Sequence, residues 1–66
     1  MTADEIKELR LSLNMSQQGF AEELGCEYHA VMRWERGISR PSPLSLKALE
    51  NLRLKHLGRL APQAAD

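Results

Sequence analysis

Apolar positions in this chain recur at three- and four-residue intervals, and no segment alternates apolar with polar residues at a period of two. β-branched residues are few, so helices are expected and strands are not. The first apolar stripe is Ile6, Leu9 and Leu13. It follows Thr2-Ala3-Asp4-Glu5, which has the S/T-x-x-E form of a capping box with acids in the first turn. Asn14 is expected to stop this helix. Ser16 is the next capping residue, with Met15 before it and Phe20 inside the helix as a hydrophobic staple. Phe20, Ala21 and Leu24 form an inward stripe, and Gly25 supplies a left-handed turn, so a second helix is predicted over 17–24. Gly19 stands where a capping-box Glu would belong and costs roughly 1 kcal/mol relative to Ala inside a helix.

A third helix is predicted over about 28–36, behind Glu27, a weak capping residue. The fourth start is the clearest: Ser42 as cap, then Pro43 at the first helical position, where a missing N–H costs nothing. From Leu44 nothing breaks the helix before Gly58. Leu46, Leu49, Leu52, Leu57 and Leu60 make a leucine-rich face on one long helix, or on two joined near Leu52–Lys55. The expected organisation is one domain over 1–60 and a frayed tail over 61–66.

Size narrows the possibilities. A chain of 66 residues buries only about 60% of the surface its unfolded form exposes, so packed helices, staples or a partner must stabilise it. Cys26 is the only cysteine, which excludes a disulfide, and Cys26, His29 and His56 lack the paired spacing of a zinc site. Cys26 is expected in an apolar turn position, and His56 as a satisfied or exposed surface histidine. The N-terminal ten residues are charged from Asp4 onward with no apolar run behind them, and no stretch approaches a membrane span. A cytoplasmic protein without cofactor or metal is expected.

Net charge is zero but unevenly spread. Residues 1–30 carry two basic against six acidic side chains, and residues 31–66 carry seven against three. Such a split either presents a basic face to a polyanion or is an accident of composition. The segment 17–36 sharpens the choice, because two short helices around Gly25-Cys26-Glu27 have the spacing of a helix-turn-helix. At about 100° per residue, Tyr28, Met32, Arg36, His29 and Arg33 fall within an arc of roughly 140°. Val31 and Trp34 lie opposite. Apolar anchors can thus face a core while Tyr, His and Arg are displayed, the requirement for reading a major groove.

Met15-Ser16-Gln17-Gln18-Gly19-Phe20-Ala21-Glu22-Glu23-Leu24-Gly25, then Arg33-Trp34-Glu35-Arg36-Gly37 and Arg40-Pro41-Ser42, resembles the Cro/λ-repressor family of helix-turn-helix regulators. The likeness runs from about Ile6 to Leu52, and the Phe-Ala and Trp-Glu variants look most like its antitoxin branch of small autorepressors. The resemblance implies an all-α bundle of four to five helices, a homodimer, and binding of double-stranded DNA at a pseudo-palindromic operator. It places Tyr28, His29, Met32 and Arg33 at base-reading positions. Gln17, Gln18, Arg36, Arg40 and Ser42 fall at phosphate-contacting or positioning ones. It also pairs Arg10 with Glu35 in a partly buried salt bridge that steadies the recognition helix. Gly19 and Glu27 depart from the family's usual capping residues, and no turn into a fifth helix is evident after Leu52.

Each position has a plainer reading. Tyr28, His29, Arg36 and Arg40 can be solvated surface residues, and Leu54, Leu57 and Leu60 can be either a two-fold contact or intrachain packing. Three functions compete. The first is a DNA-binding repressor of a small operon. In an antitoxin the same fold would bind a toxin as well as its operator. The second is a helical interaction module without DNA binding that takes a co-regulator protein, for which Glu22, Glu23, Glu27 and zero net charge argue. An enzyme is the third, and no nucleophile–base pair, carboxylate dyad or phosphate loop appears at useful spacing.

Overall fold

The computed structural model describes residues 1–60, with the side chains of Arg59 and Leu60 excepted. Four helices follow one another: α1 (Ala3–Ser12), α2 (Gln17–Leu24), α3 (Tyr28–Glu35) and α4 (Pro43–Leu60), with no strand among the described residues. The fold class is all-α, as the periodicity predicts. The tail expected to fray and the side chain of Leu60 lie outside the described residues.

Local chemistry sets the boundaries. Thr2 and Glu5 form the reciprocal capping box: the Thr2 amide donates to Glu5 Oε1 at 2.8 Å, and the Glu5 amide donates to Thr2 Oγ1 at 3.2 Å. Ser16 Oγ accepts the Gly19 amide at 3.0 Å, and a Cβ on Gly19 would stand only 3.3 Å from that oxygen. Glu27 makes no side-chain capping bond, so α3 starts without one. Ser42 Oγ accepts the Ser45 amide at 3.2 Å.

The first three helices end alike. Asn14, Gly25 and Gly37 have φ of 56°, 73° and 73°. Around each, the next two amides fold back onto the last turn. The Asn14 and Met15 amides donate to Leu11 O and Arg10 O, and those of Gly25 and Cys26 to Glu22 O and Ala21 O. The Gly37 and Ile38 amides donate to Trp34 O and Arg33 O. This is the Schellman arrangement, which satisfies carbonyls a helix end leaves open.

The core is small and shared by all four helices: Ile6 and Leu9, Phe20 and Ala21, Val31 and Trp34, and Leu49 are buried. Leu13, Met15, Leu24, Cys26 and Leu52 pack against it in part. The leucine-rich face of α4 is shorter than its sequence suggests. Among its described side chains only Leu49 is fully buried, Leu46 and Leu52 are half-buried, and Leu57 is 50% exposed. The reason is length: an 18-residue helix runs about 27 Å and outreaches helices of 8 to 10 residues. Of the two arrangements open to this segment, the structure takes the continuous one, passing through Lys55 and Gly58 without a break.

Candidate nucleic-acid interface

α3 is anchored from behind by Val31 and Trp34, which are 0% and 5% exposed. Its other side carries Tyr28, His29, Arg33 and, at the C-cap, Arg36, all exposed, with Met32 half-buried beside them. The rings of Tyr28 and His29 meet edge-to-face with centroids 5.3 Å apart, so the two neighbouring side chains form one aromatic unit at the start of the helix. Arg40 and Ser42 are exposed on the segment that leads into α4. Among the described residues the ion pairs are Arg10–Glu35 and Arg53–Glu5, and Arg33, Arg36 and Arg40 take part in neither.

Behind this face lies one hydrogen-bonded cluster. Arg10 Nε donates to Glu35 Oε2 at 2.7 Å and Arg10 Nη2 to Glu35 Oε1 at 3.0 Å, a two-pronged contact between the last turn of α1 and the end of α3. Arg10 Nη1 donates to Met15 O at 3.0 Å, in the loop before α2. The hydrogen bond to Glu35 holds the Arg10 guanidinium above its ordinary pKa, against the opposing effect of burial. One arginine thereby joins α1, the loop before α2 and the end of α3.

The two glutamines at the start of α2 are not equivalent. Gln17 is half-buried and its Nε2 donates to Glu35 Oε1 at 3.2 Å, which joins it to the cluster. Gln18 is exposed and its Nε2 donates to Glu22 Oε2 at 3.0 Å. The bond from Gln17 to Glu35 spans 18 positions and was not anticipated by spacing; only the Arg10–Glu35 pairing gave a hint of it. Ile38 on the connection into α4 and Leu44 in its first turn, 67% and 80% exposed, carry no role in that pattern. An apolar residue isolated in a Gly/Ser/Pro-rich stretch is the signal that marks them.

Other chemistry is sparse. Burial pushes the Cys26 thiol up, with the neighbouring Glu27 adding to it, so the thiolate is disfavoured. Among the described residues no three His, Cys, Asp or Glu side chains gather to hold a metal, and no helix is long and apolar enough to cross a membrane. An open cleft of about 550 Å³ lies between the N-terminus and the α3–α4 connection, lined among others by Met1, Ile6, Trp34 and Arg40. The sequence held no signal for it.

Comparison with known proteins agrees with this geometry. A helix-turn-helix family model matches residues 6–52. Over 47 residues the chain is 43% identical to the Type II methyltransferase M.SsoII of Shigella sonnei. That match covers 67% of this chain and 12% of the methyltransferase, so the chain spans about an eighth of its relative's length. No solved structure matches. The matched residues run from the first core position of α1 into α4 and take in both helices of the motif. The chain belongs to the Cro/λ-repressor-type helix-turn-helix family, a family of DNA-binding domains and not of enzymes.

Proposed function

We propose that this protein is a sequence-specific transcriptional regulator, a homodimeric repressor of a small operon that reads the major groove with α3. The observation that carries the reading is the two-sidedness of α3: Val31 and Trp34 fixed in the core, Tyr28, His29 and Arg33 outside. Arg33 pairs with guanine O6 and N7, worth about 1–3 kcal/mol of discrimination, while Met32 lies against a thymine methyl. Tyr28 and His29 read the adjoining base edges. Arg36, Arg40, Gln17, Gln18 and the Ser42 helix start contact phosphates, which fix register without reading sequence.

A single unit covers too few base pairs for useful specificity. Two copies on half-sites about one helical turn, or roughly 34 Å, apart supply the rest. Leu54 and Leu57, 67% and 50% exposed on the part of α4 that outreaches the bundle, are the side chains this reading gives to the second copy. A regulator of this kind works beside the genome, in the cytoplasm of a bacterium. The similarity to M.SsoII covers 12% of that methyltransferase; it supports a shared binding unit and does not bring methyl transfer to this chain. The antitoxin alternative rests on the Phe-Ala and Trp-Glu motif variants alone.

The test is a comparison of two arginine variants on labelled duplexes across a salt series. Arg33→Ala is expected to relax preference at one base position per half-site. Arg40→Ala is expected to weaken binding to all sequences and flatten the salt slope by about 1. If both variants change specificity in the same way, the division between reading and positioning residues is wrong.

A further inference from the structure

Glu35 accepts one more hydrogen bond than its ion pair requires. Its carboxylate, 4% exposed, takes two bonds from Arg10 and a third from Gln17 Nε2 at 3.2 Å. An ionised carboxylate can only accept, so it dictates which end of the Gln17 amide faces inward: the nitrogen. That nitrogen carries two protons. One goes to Glu35, and the planar amide directs the second, along with Oε1, away from the first. Gln17 opens α2 and is half-buried, so its amide stands at the boundary between the Arg10–Glu35 cluster and the surface.

We propose that Glu35, held by Arg10, is a positioning residue for DNA: it fixes the Gln17 amide so that the second Nε2 proton meets a backbone phosphate. The inference rests on the DNA-binding function proposed above and adds a role for the buried pair beyond packing. Two physical effects support it. A glutamine has three rotatable side-chain bonds, and freezing them before the encounter removes an entropic cost from binding. In addition, a carboxylate one side chain from a phosphate would repel it, and the Arg10 guanidinium at 2.7 Å neutralises that charge in place. Gln18 reaches its phosphate without such support: its amide is tied to the exposed Glu22, and no cation shares that bond.

A thermodynamic cycle on DNA affinity separates positioning from simple scaffolding. The double replacement Arg10→Met with Glu35→Leu removes both charges and keeps the volume apolar, a change that buried ion pairs often tolerate. With Gln17 present, this replacement is expected to weaken binding to a selected duplex about 5- to 10-fold, a part of the value of one hydrogen bond to a charged group, because the amide is loosened and not removed. In a Gln17→Ala background the same replacement is expected to change affinity less than about 2-fold, because there is no amide left to position. Equal losses in the two backgrounds would overturn the proposal, as would a Gln17→Ala variant that binds like the parent.

Should the double replacement fail to fold, the Gln17 side-chain amide in the unmodified chain gives an independent answer by NMR. Two resolved Nε2 proton signals, one of which shifts on adding the duplex, are expected. Unmoved signals overturn the proposal. If the unmodified chain binds no DNA, the proposed function falls and this inference with it. Additive losses with DNA binding intact remove the inference alone.

Discussion

Arg10→Met tests the stability side of the buried cluster. Arg10 makes three hydrogen bonds: two to Glu35, and one to Met15 O at 3.0 Å. Methionine fills much of the same volume and removes all three. Glu35, with a side chain 4% exposed, would then hold its charge with only the Gln17 amide for company. Breaking a buried pair by deleting one partner typically costs about 3–5 kcal/mol, mostly because the survivor stays charged and buried. At roughly 0.05–0.15 kcal/mol per residue, a domain this size has about 3–10 kcal/mol in total. The variant should therefore lose about three tenths of its stability at the least. In a domain this small each kcal/mol moves Tm by about 4–8 °C, so the midpoint should fall by about 12 °C or more. Thermal and urea unfolding followed by circular dichroism at 222 nm measures this directly. Adding Glu35→Leu should recover most of the loss, since the stranded charge goes with it. A Tm within about 3 °C of the parent, or a double variant no better than the single one, would refute the reasoning.

The remaining predictions probe helix ends, acid response and association. Gly25→Ala should cost about 1–2 kcal/mol, because φ is 73° there and nothing lies within 4 Å to clash, whereas Gly58→Ala in helical, open surroundings should add about 0.5–1 kcal/mol. Urea midpoints that move in the same direction for both would contradict this. Glu5 is held below its ordinary pKa, first by the backbone amide of Thr2, then by the Thr2 hydroxyl, with Arg53 contributing less. A depressed carboxyl favours folding above its unfolded value and loses that advantage as pH falls through its folded value. The gap in Tm between the parent and Glu5→Gln should accordingly shrink on acidification from about pH 7 to about pH 3; a gap independent of pH counts against the capping box. Leu54→Lys with Leu57→Lys should convert a dimer to a monomer in sedimentation equilibrium with unchanged helicity. An unmodified chain already monomeric at high micromolar concentration would refute a stable dimer.

Much of this fold was legible because its punctuation is local. Ser16 and Gly25 fix both ends of α2, predicted over 17–24 and found at Gln17–Leu24. The outward set on α3 follows from the helical period once Val31 and Trp34 are taken as apolar anchors. Gly37 closes α3 in the same left-handed way as Gly25, yet the sequence reading used it only as part of a family motif. Two features were beyond local rules. Whether α4 breaks near Lys55 depends on a single glycine, Gly58, whose cost of about 1 kcal/mol is too small to decide between one helix and two. How much of its leucine face is covered depends on the lengths of the other helices, a tertiary property. Among the candidate site residues, Gln17 shows the limit most clearly. Its partner lies 18 positions away, so its engagement by Glu35 follows from the tertiary fold and not from any local pattern.

The most direct test of the central claim is selection of the purified chain on a random-sequence duplex pool, over several rounds at about 0.15 M salt. The account predicts enrichment of a two-fold symmetric motif with half-sites about one helical turn apart, and loss of one base preference per half-site when Arg33→Ala is selected in parallel. Weak retention of the pool with no enriched motif would contradict it, and would turn attention from an operator to a protein partner for the same surface.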